Sequence, residues 1–299
     1  MPRYALLLTV IVTLFGIQSA SAGKKLDAVA TFSILGDLVK NVGGDRIYVN
    51  TLVGPNGNTH VYTPSPADAK KLADADVIVV NGLGLEGWLD RLINASGTKA
   101  AIIVATKRIK PKERAGKAAD DGHGSTDPHA WQSVANAKTY VENIRDGLVA
   151  ADLAGKAAYE ENAREYLARL DQLDHDVRST ISNIPADKRL IVTDHRAFGY
   201  FEREYGIKFA SPQGLSTDAE PSAKGVASII TAIRQSKAPA VFLENVTDPR
   251  LMQQIATETG ARIGGTLYSD ALTDQKGDAR TYIDLVRHNL RQLSSALSN

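Results

Sequence analysis

Residues Leu153–Ile184 read LAGKAAYEENAREYLARLDQLDHDVRSTISNI and carry the most regular pattern in the sequence. Apolar side chains recur there at intervals of three and four residues, at Tyr159, Ala163, Tyr166, Leu170, Leu173, Val177 and Ile181. This spacing predicts one amphipathic helix of ~30 residues, which would be ~45 Å long at 1.5 Å per residue. Pro185 follows and stops the helix. A coiled coil would show a similar period, so the flanking sequence has to decide between the two.

Both flanks alternate short apolar runs with helical patterns, which indicates βαβ units and parallel sheets. The predicted strands are Leu26–Thr31, Ile47–Val53, Val77–Val80 and Ala101–Val104 before the long helix, and Arg189–Thr193, Ile207–Ala210, Ala240–Leu243 and Arg262–Leu267 after it. The flanks therefore favour a helix packed along two lobes over a coiled coil. We predict an α/β protein with an N-terminal lobe at 23–151, a rigid linking helix at 152–184 and a C-terminal lobe at 185–299.

Length and composition agree with two folded lobes. The 299 residues suit two domains of roughly 100–150 residues each. Hydrophobic residues make up 43% and charged residues 23%, as in ordinary globular proteins. A further helix is expected at Leu85–Ile93. The segment Arg108–Asp127 shows no apolar period, so we expect a surface loop there.

The first 22 residues have the pattern of a secretory signal peptide. Arg3 precedes the apolar run Ala5–Ile17, and the small residues Ala20-Ser21-Ala22 supply a cleavage site, so we expect cleavage after Ala22 and a periplasmic protein. An uncleaved anchor is the alternative, but the run is shorter than the ~20 residues that a membrane-spanning helix needs. No cysteine is present at the junction to carry a lipid. We expect no stable membrane anchor.

Charge and cysteine content exclude several classes of function. The chain has 35 basic and 34 acidic residues, and cleavage after Ala22 would remove Arg3 and leave 34 of each, with no basic run. This balance argues against a nucleic-acid partner and against electrostatic docking on anionic lipid. The sequence has no cysteine, so disulfides and thiolate metal sites are excluded. Any metal site must use imidazole and oxygen ligands.

Three histidines and one aspartate lie just beyond predicted strands or at the start of a helix. His60 lies in the turn-rich segment after the second strand, and His129 lies in Asp127-Pro128-His129-Ala130-Trp131. His195 and Asp270 each follow a strand of the second lobe closely. Ligands of open α/β sheets bind beyond the carboxyl ends of the strands. Two residues from each lobe are thus expected to meet in the cleft between the lobes.

Three imidazoles and one carboxylate suit a four-coordinate metal site. Imidazole favours zinc, copper and nickel, whereas oxygen-rich sites favour magnesium, calcium and manganese, so this set favours Zn²⁺. Four protein ligands leave no open position for a substrate water, as expected of binding rather than catalysis. Each histidine taken alone is more often a solvated or hydrogen-bonding loop residue. No HExxH pair is present, so spacing alone is a weak signal.

The sequence resembles the zinc/manganese class of solute-binding proteins of ABC metal importers, the cluster A-I lipoprotein and adhesin family. The resemblance covers essentially the whole chain after the signal segment. Its motifs occur in the expected order: Gly54-Pro55 through His60 with Pro64-Ser65-Pro66, Val79–Glu86, Asp127–Trp131, His195–Phe201, Phe242-Leu243-Glu244-Asn245 and Tyr268-Ser269-Asp270. Members of this family have two α/β lobes joined by a long helix.

The resemblance implies that His60, His129, His195 and Asp270 bind the metal. The third position is typically Glu in manganese-type members and His in zinc-type members, so His195 implies a zinc-type protein. Zinc-type members often carry a long His-rich and acidic loop, which is reduced here to Asp120–Gly124 with His123. We expect Glu244 to orient a ligand rather than to bind metal itself.

The expected function is capture of Zn²⁺ outside the cytoplasm and delivery to an ABC importer permease. The protein is expected to be a monomer that is not an enzyme, with a periplasmic zinc metallochaperone as a further partner. A manganese carrier of the same family is the main alternative. A secreted zinc hydrolase would need an open coordination position, and no GxSxG nucleophile motif is present. A structural metal in an adhesin would predict unfolding when the metal is removed.

Overall fold

A computed structural model describes residues 24–113, 126–236 and 240–297 of the chain. The predicted signal peptide at 1–22 and the predicted loop around His123 lie outside these residues. Within the described ranges, no helix is long and apolar enough to cross a membrane.

The N-terminal lobe is a four-stranded parallel sheet with strand order β2-β1-β3-β4. Its strands are β1 (Leu26–Phe32), β2 (Ile47–Val53), β3 (Val77–Val80) and β4 (Ala101–Val104), and its helices are α1 (Ser33–Gly43), α2 (Pro66–Asp74), α3 (Leu89–Ser96) and α4 (Val134–Ala151). Every residue of β3 is buried, as a central strand covered on both faces requires.

The C-terminal lobe repeats this architecture with the order β6-β5-β7-β8, again all parallel. Its strands are β5 (Leu190–Val192), β6 (Lys208–Ala210), β7 (Ala240–Glu244) and β8 (Arg262–Leu267), and its helices are α6 (Gly199–Tyr205), α7 (Ala223–Ser236), α8 (Arg250–Thr259) and α9 (Tyr282–Leu297). In both sheets the order in which strands are added reverses between the first and third strands of the lobe, β1 and β3 in one and β5 and β7 in the other. Crevices for ligands open at such switch points.

The long helix α5 (Lys156–Ser182) follows a 3-10 turn at Leu153–Gly155 and connects the lobes. All seven of its periodic apolar side chains are buried, and the helix packs on α1 and α4 of one lobe and on α9 of the other. The buried core runs continuously from the N-terminal sheet through α5 into the C-terminal lobe. The predicted two-lobed α/β fold with a long helix between the lobes is confirmed.

The helix predicted at Leu85–Ile93 instead begins at Leu89 and ends at Ser96. The backbone just before it has positive φ at Gly82 (84°) and Leu83 (55°), which is incompatible with a right-handed helix. The carboxylate of Glu86 accepts the N–H of Gly82 at 3.2 Å and so stabilises this turn. The apolar period was read correctly, but the turn delays the start of the helix.

Candidate metal centre

The four predicted ligands meet in one cluster between the lobes. His60, His129, His195 and Asp270 each offer one ligand atom, and these atoms all lie within 4.8 Å of one another. The side chains of His129, His195 and Asp270 are fully buried, and the His60 side chain is 4% exposed. The geometry thus brings together the residues singled out from the sequence; their role as ligands remains a prediction.

The nearest separations between ligand atoms are those of a small cation's coordination shell. Asp270 Oδ2 lies 3.2 Å from His60 Nε2 and 3.1 Å from His195 Nε2, and its Oδ1 lies 3.7 Å from His129 Nε2. The Nε2 atoms of His60 and His129 are 3.2 Å apart. A tetrahedral ion with bonds of 2.0–2.1 Å places its ligands about 3.3 Å apart. These contacts fit such an ion closely, and the widest pairs, within 4.8 Å, would have to contract by up to about 1.5 Å.

The carboxylate of Asp270 is fully buried, and apart from the facing imidazoles no group of the described residues donates a hydrogen bond to its oxygens. Burial alone would raise the pKa of Asp270, but the adjacent His195 and His129 hold this pKa well below its usual range. An ionised, buried carboxylate is costly unless a positive charge neutralises it. In the absence of a metal ion, protonated His195 supplies this charge, because its Nε2 lies 3.1 Å from Asp270 Oδ2. The donor set therefore fits a bound divalent cation.

His195 is positioned by Glu244, which lies at the end of β7. Glu244 Oε1 accepts the His195 backbone N–H at 3.0 Å, and its Oε2 lies 2.7 Å from His195 Nδ1. Burial alone would lower the pKa of His195, but the facing Glu244 and Asp270 carboxylates raise it well above its usual value. Without a cation His195 therefore carries a proton, which a metal ion must displace.

His129 has the same kind of carboxylate support as His195, whereas burial dominates the surroundings of His60. Asp127 Oδ1 lies 2.9 Å from His129 Nδ1 and accepts the His129 backbone N–H at 3.0 Å. A carboxylate on Nδ1 leaves the Nε2 lone pair free to bind a metal. Burial lowers the pKa of His60, so this imidazole is neutral and available as a ligand.

A buried polar network holds the segment that carries His129. Asn81 Nδ2 donates to the carbonyl of Pro128 at 3.0 Å. Asn81 N–H and the Thr31 hydroxyl both donate to Glu86 Oε1 at 2.6 Å. Burial raises the pKa of Glu86 although these groups donate to its carboxylate. The motif Val79–Glu86 therefore supports the segment that carries His129, and it contributes none of the four clustered residues.

The loop that carries His60 is bonded to both lobes. Trp88 Nε1 donates to the carbonyl of Thr59 at 2.9 Å within the N-terminal lobe. Asn58 Oδ1 accepts the His60 N–H at 3.0 Å, and Asn58 Nδ2 donates to Thr217 Oγ1 at 2.8 Å in the C-terminal lobe. A cavity of about 400 Å³ opens beside His60. Of the four clustered residues, His60 is the one that lines this cavity.

The remaining histidines within the described ranges lie away from the cluster. His175 is an exposed residue of α5. His288 is buried in α9, with Nε2 3.0 Å from the carbonyl of Thr266. Glu244 contacts His195 from outside the group of four, as expected from the sequence. His123 falls outside the described residues.

Sequence reasoning did not assign a role to Asp127 or Asn81, although both lie in the motifs quoted above. The spacing Asp-x-His was an available signal for Asp127, because metal-binding histidines commonly donate their second ring N–H to a carboxylate. No local signal pointed to Asn81, since its partner Pro128 lies 47 positions away in sequence.

Comparison with known proteins places the chain in one family. A family model described as zinc-uptake complex component A, periplasmic, matches residues 28–296. The manganese ABC transporter substrate-binding lipoprotein PsaA of Streptococcus anginosus is 32% identical over 289 residues, which cover 95% of this chain and 93% of that protein.

Solved structures agree with this placement. The Mn-bound periplasmic metal-binding protein of Candidatus Liberibacter asiaticus is 34% identical, with a TM-score of 0.80 over 91% of this chain and all of that one. The periplasmic zinc-binding protein TroA of Treponema pallidum is 29% identical, with a TM-score of 0.85 over 92% of this chain and all of that one. Such proteins bind substrates and are not enzymes, which removes the hydrolase alternative. The chain belongs to the family of periplasmic metal-binding components of ABC importers.

Proposed function

We propose that the protein captures Zn²⁺ through His60, His129, His195 and Asp270 and delivers it to the permease of its importer. The observation that carries this proposal is the donor set, in which three imidazole nitrogens surround one buried carboxylate that accepts no hydrogen bond from any other group of the described residues. Nitrogen-rich sites of this kind favour zinc over the hard cations, which prefer oxygen. The short separations between ligand atoms also support a small, four-coordinate ion.

Manganese is the second candidate cargo, and a specific observation favours it. The relative from Streptococcus anginosus is named as a manganese carrier, and the Liberibacter structure is described as Mn-bound. Both oxygens of Asp270 are free to bind, and a bidentate carboxylate would raise the coordination number above four. The selectivity of this chain therefore has to be measured on the chain itself.

The rest of the proposal concerns export and partners. Family membership implies an importer with a membrane permease and an ATPase. We propose export through a signal peptide cleaved after Ala22, with the carrier acting as a monomer in the periplasm. A periplasmic metallochaperone is proposed as a donor of the ion.

The decisive test is competition titration of the protein from Gly23 onward with Zn²⁺ and Mn²⁺, together with metal analysis. We expect one Zn²⁺ per chain that resists excess Mn²⁺. His195→Ala removes a ligand, so its affinity for Zn²⁺ should fall by more than the tenfold to hundredfold typical of losing a supporting group. His195→Glu replaces nitrogen with oxygen and should shift preference towards Mn²⁺.

His175→Ala is the matched control, because it removes an exposed imidazole far from the cluster. It should bind both metals as the wild type does. Preference of the wild type for Mn²⁺ would replace zinc by manganese as the cargo. Unchanged affinity in His195→Ala would remove His195 from the ligand set.

A further inference from the structure

The carbonyl oxygen of Ser269 accepts two hydrogen bonds from the opposite lobe. Trp131 Nε1 donates at 2.9 Å, and Gln132 Nε2 donates at 2.7 Å. Ser269 and Trp131 are fully buried, and Gln132 is 4% exposed. Ser269 directly precedes Asp270, while Trp131 and Gln132 follow His129 by two and three residues. The two bonds thus join the chain beside one candidate ligand to the chain beside another.

The groups on either side of this contact are themselves held in place. Tyr282 donates its hydroxyl to the carbonyl of Trp131 at 2.6 Å. Asn289 of α9 accepts the Tyr268 N–H and donates to the Tyr268 carbonyl, both at 2.8 Å. The backbone before Asp270 is therefore bonded to the C-terminal lobe at Tyr268 and to the N-terminal lobe at Ser269.

The Asp270 side chain has no such support of its own. Apart from the imidazoles of the cluster, no group of the described residues donates a hydrogen bond to either carboxylate oxygen, so the position of the carboxylate depends largely on its backbone and on packing. A ligand that is held in place before the ion arrives avoids an ordering cost on binding. Whatever fixes the carbonyl of Ser269 therefore influences how well Asp270 meets the ion.

We propose that Gln132 and Trp131 are positioning residues for the metal site, which hold Asp270 against His129 across the two lobes. This inference rests on the proposed ligand set. Sequence position alone would assign both side chains to packing in the N-terminal lobe. Their donor atoms instead bond the segment that carries the carboxylate ligand of the other lobe. Loss of a donor lets that segment shift and weakens metal binding without removing a ligand.

The test compares Gln132→Met with Asn162→Leu, each of which deletes one amide donor while keeping similar volume. Asn162 Nδ2 donates to the carbonyl of Val42 at 3.0 Å, so this control loses a similar bond between α5 and α1, and neither of its partners is adjacent to a proposed ligand. Supporting groups of metal ligands typically contribute tenfold to hundredfold to affinity. We expect Gln132→Met to lose about tenfold in Zn²⁺ affinity, and Asn162→Leu to keep the wild-type value.

A second readout separates positioning from stability. The visible absorption of bound Co²⁺ reports the arrangement of ligands around the ion, so it should change in Gln132→Met and stay unchanged in Asn162→Leu. Urea unfolding of the metal-free proteins should show comparable losses for both variants. Trp131→Phe deletes the other donor while keeping a ring beside Phe32, which lies 5.0 Å away between ring centroids. It should reproduce the Co²⁺ change.

Wild-type affinity and an unchanged Co²⁺ spectrum in Gln132→Met would overturn the positioning role. Equal affinity losses in Gln132→Met and Asn162→Leu would do the same, since they would reduce the effect to general stability. If the proposed ligand set itself is wrong, His129→Ala will also bind Zn²⁺ as the wild type does. This result separates failure of the ligand set from failure of the positioning role.

Discussion

Replacement of Glu244 by glutamine tests whether a buried carboxylate outside the proposed ligand set controls the affinity of the site for Zn²⁺. Glu244 Oε2 lies 2.7 Å from His195 Nδ1, and both side chains are fully buried. The glutamine side chain would keep the shape and an acceptor for the His195 N–H, but it would lose the charge that orients the imidazole. Loss of such a group typically costs tenfold to hundredfold in affinity, or about 1.4–2.7 kcal/mol.

The size of the affinity loss within this range depends on the charge of the neighbouring Asp194 carboxyl group. Burial and the charge of Glu244 raise the pKa of Asp194 to about 8, so Asp194 is mostly neutral at pH 7. Removing the Glu244 charge lowers this pKa, and Asp194 then becomes ionised and replaces part of the lost charge. We expect about tenfold weaker Zn²⁺ binding for Glu244→Gln and about hundredfold for Glu244→Gln with Asp194→Asn.

The assay is competition with a chromophoric chelator at pH 7. Glu258→Gln, on the exposed face of α8, is the control for the loss of one negative charge, and it should bind as the wild type does. In a His195→Ala background Glu244→Gln should have almost no further effect, because its partner is gone. Wild-type affinity in Glu244→Gln, or an undiminished effect without His195, would refute this reasoning.

Three further variants test stability by urea unfolding. Burial raises the pKa of Asp37 from 3.8 to about 6, so its stabilising contribution is complete below about pH 4 and is lost as the pH rises through 6. Asparagine does not titrate, so the free energy of unfolding of Asp37→Asn minus that of the wild type should rise by about 3 kcal/mol between pH 4 and pH 7.5. A difference that does not change with pH would contradict this. Leu170→Ala, in the fully buried stripe of α5, should lose 2–5 kcal/mol with unchanged metal stoichiometry, and a loss below 1 kcal/mol would contradict this burial. Ser65→Ala removes the N-cap of α2 and should cost about 1 kcal/mol, whereas no loss would mean that the cap contributes nothing.

Local sequence patterns were sufficient for nearly all of the fold. The strands Ile47–Val53, Val77–Val80, Ala101–Val104 and Arg262–Leu267 were predicted with the bounds that the structure shows. The heptad-like stripe of α5 was also read correctly, because hydrophobic periodicity reflects which face of an element is buried. The start of α3 was missed by four residues, because the Glu86 carboxylate folds back to accept the N–H groups of Asn81 and Gly82, and this turn has no sequence signature.

The metal centre depended on both levels. Residue types and strand ends pointed to His60, His129, His195 and Asp270, since parallel strands bring their carboxyl ends to one edge of a sheet. His60 and Asp270 are nevertheless 210 positions apart, and no local pattern states that their side chains come within 3.2 Å.

The sequence by itself therefore determined the two α/β lobes, the long helix between them and the chemistry of the candidate ligands. Only the tertiary structure showed that Glu244 contacts both the backbone N–H and the Nδ1 of His195. It also decided that the carbonyl of Ser269 is held by two side chains of the other lobe. The physical reason is range: periodicity and turn chemistry act over a few residues, whereas these contacts join residues between 49 and 210 positions apart, and their geometry follows from how the chain packs.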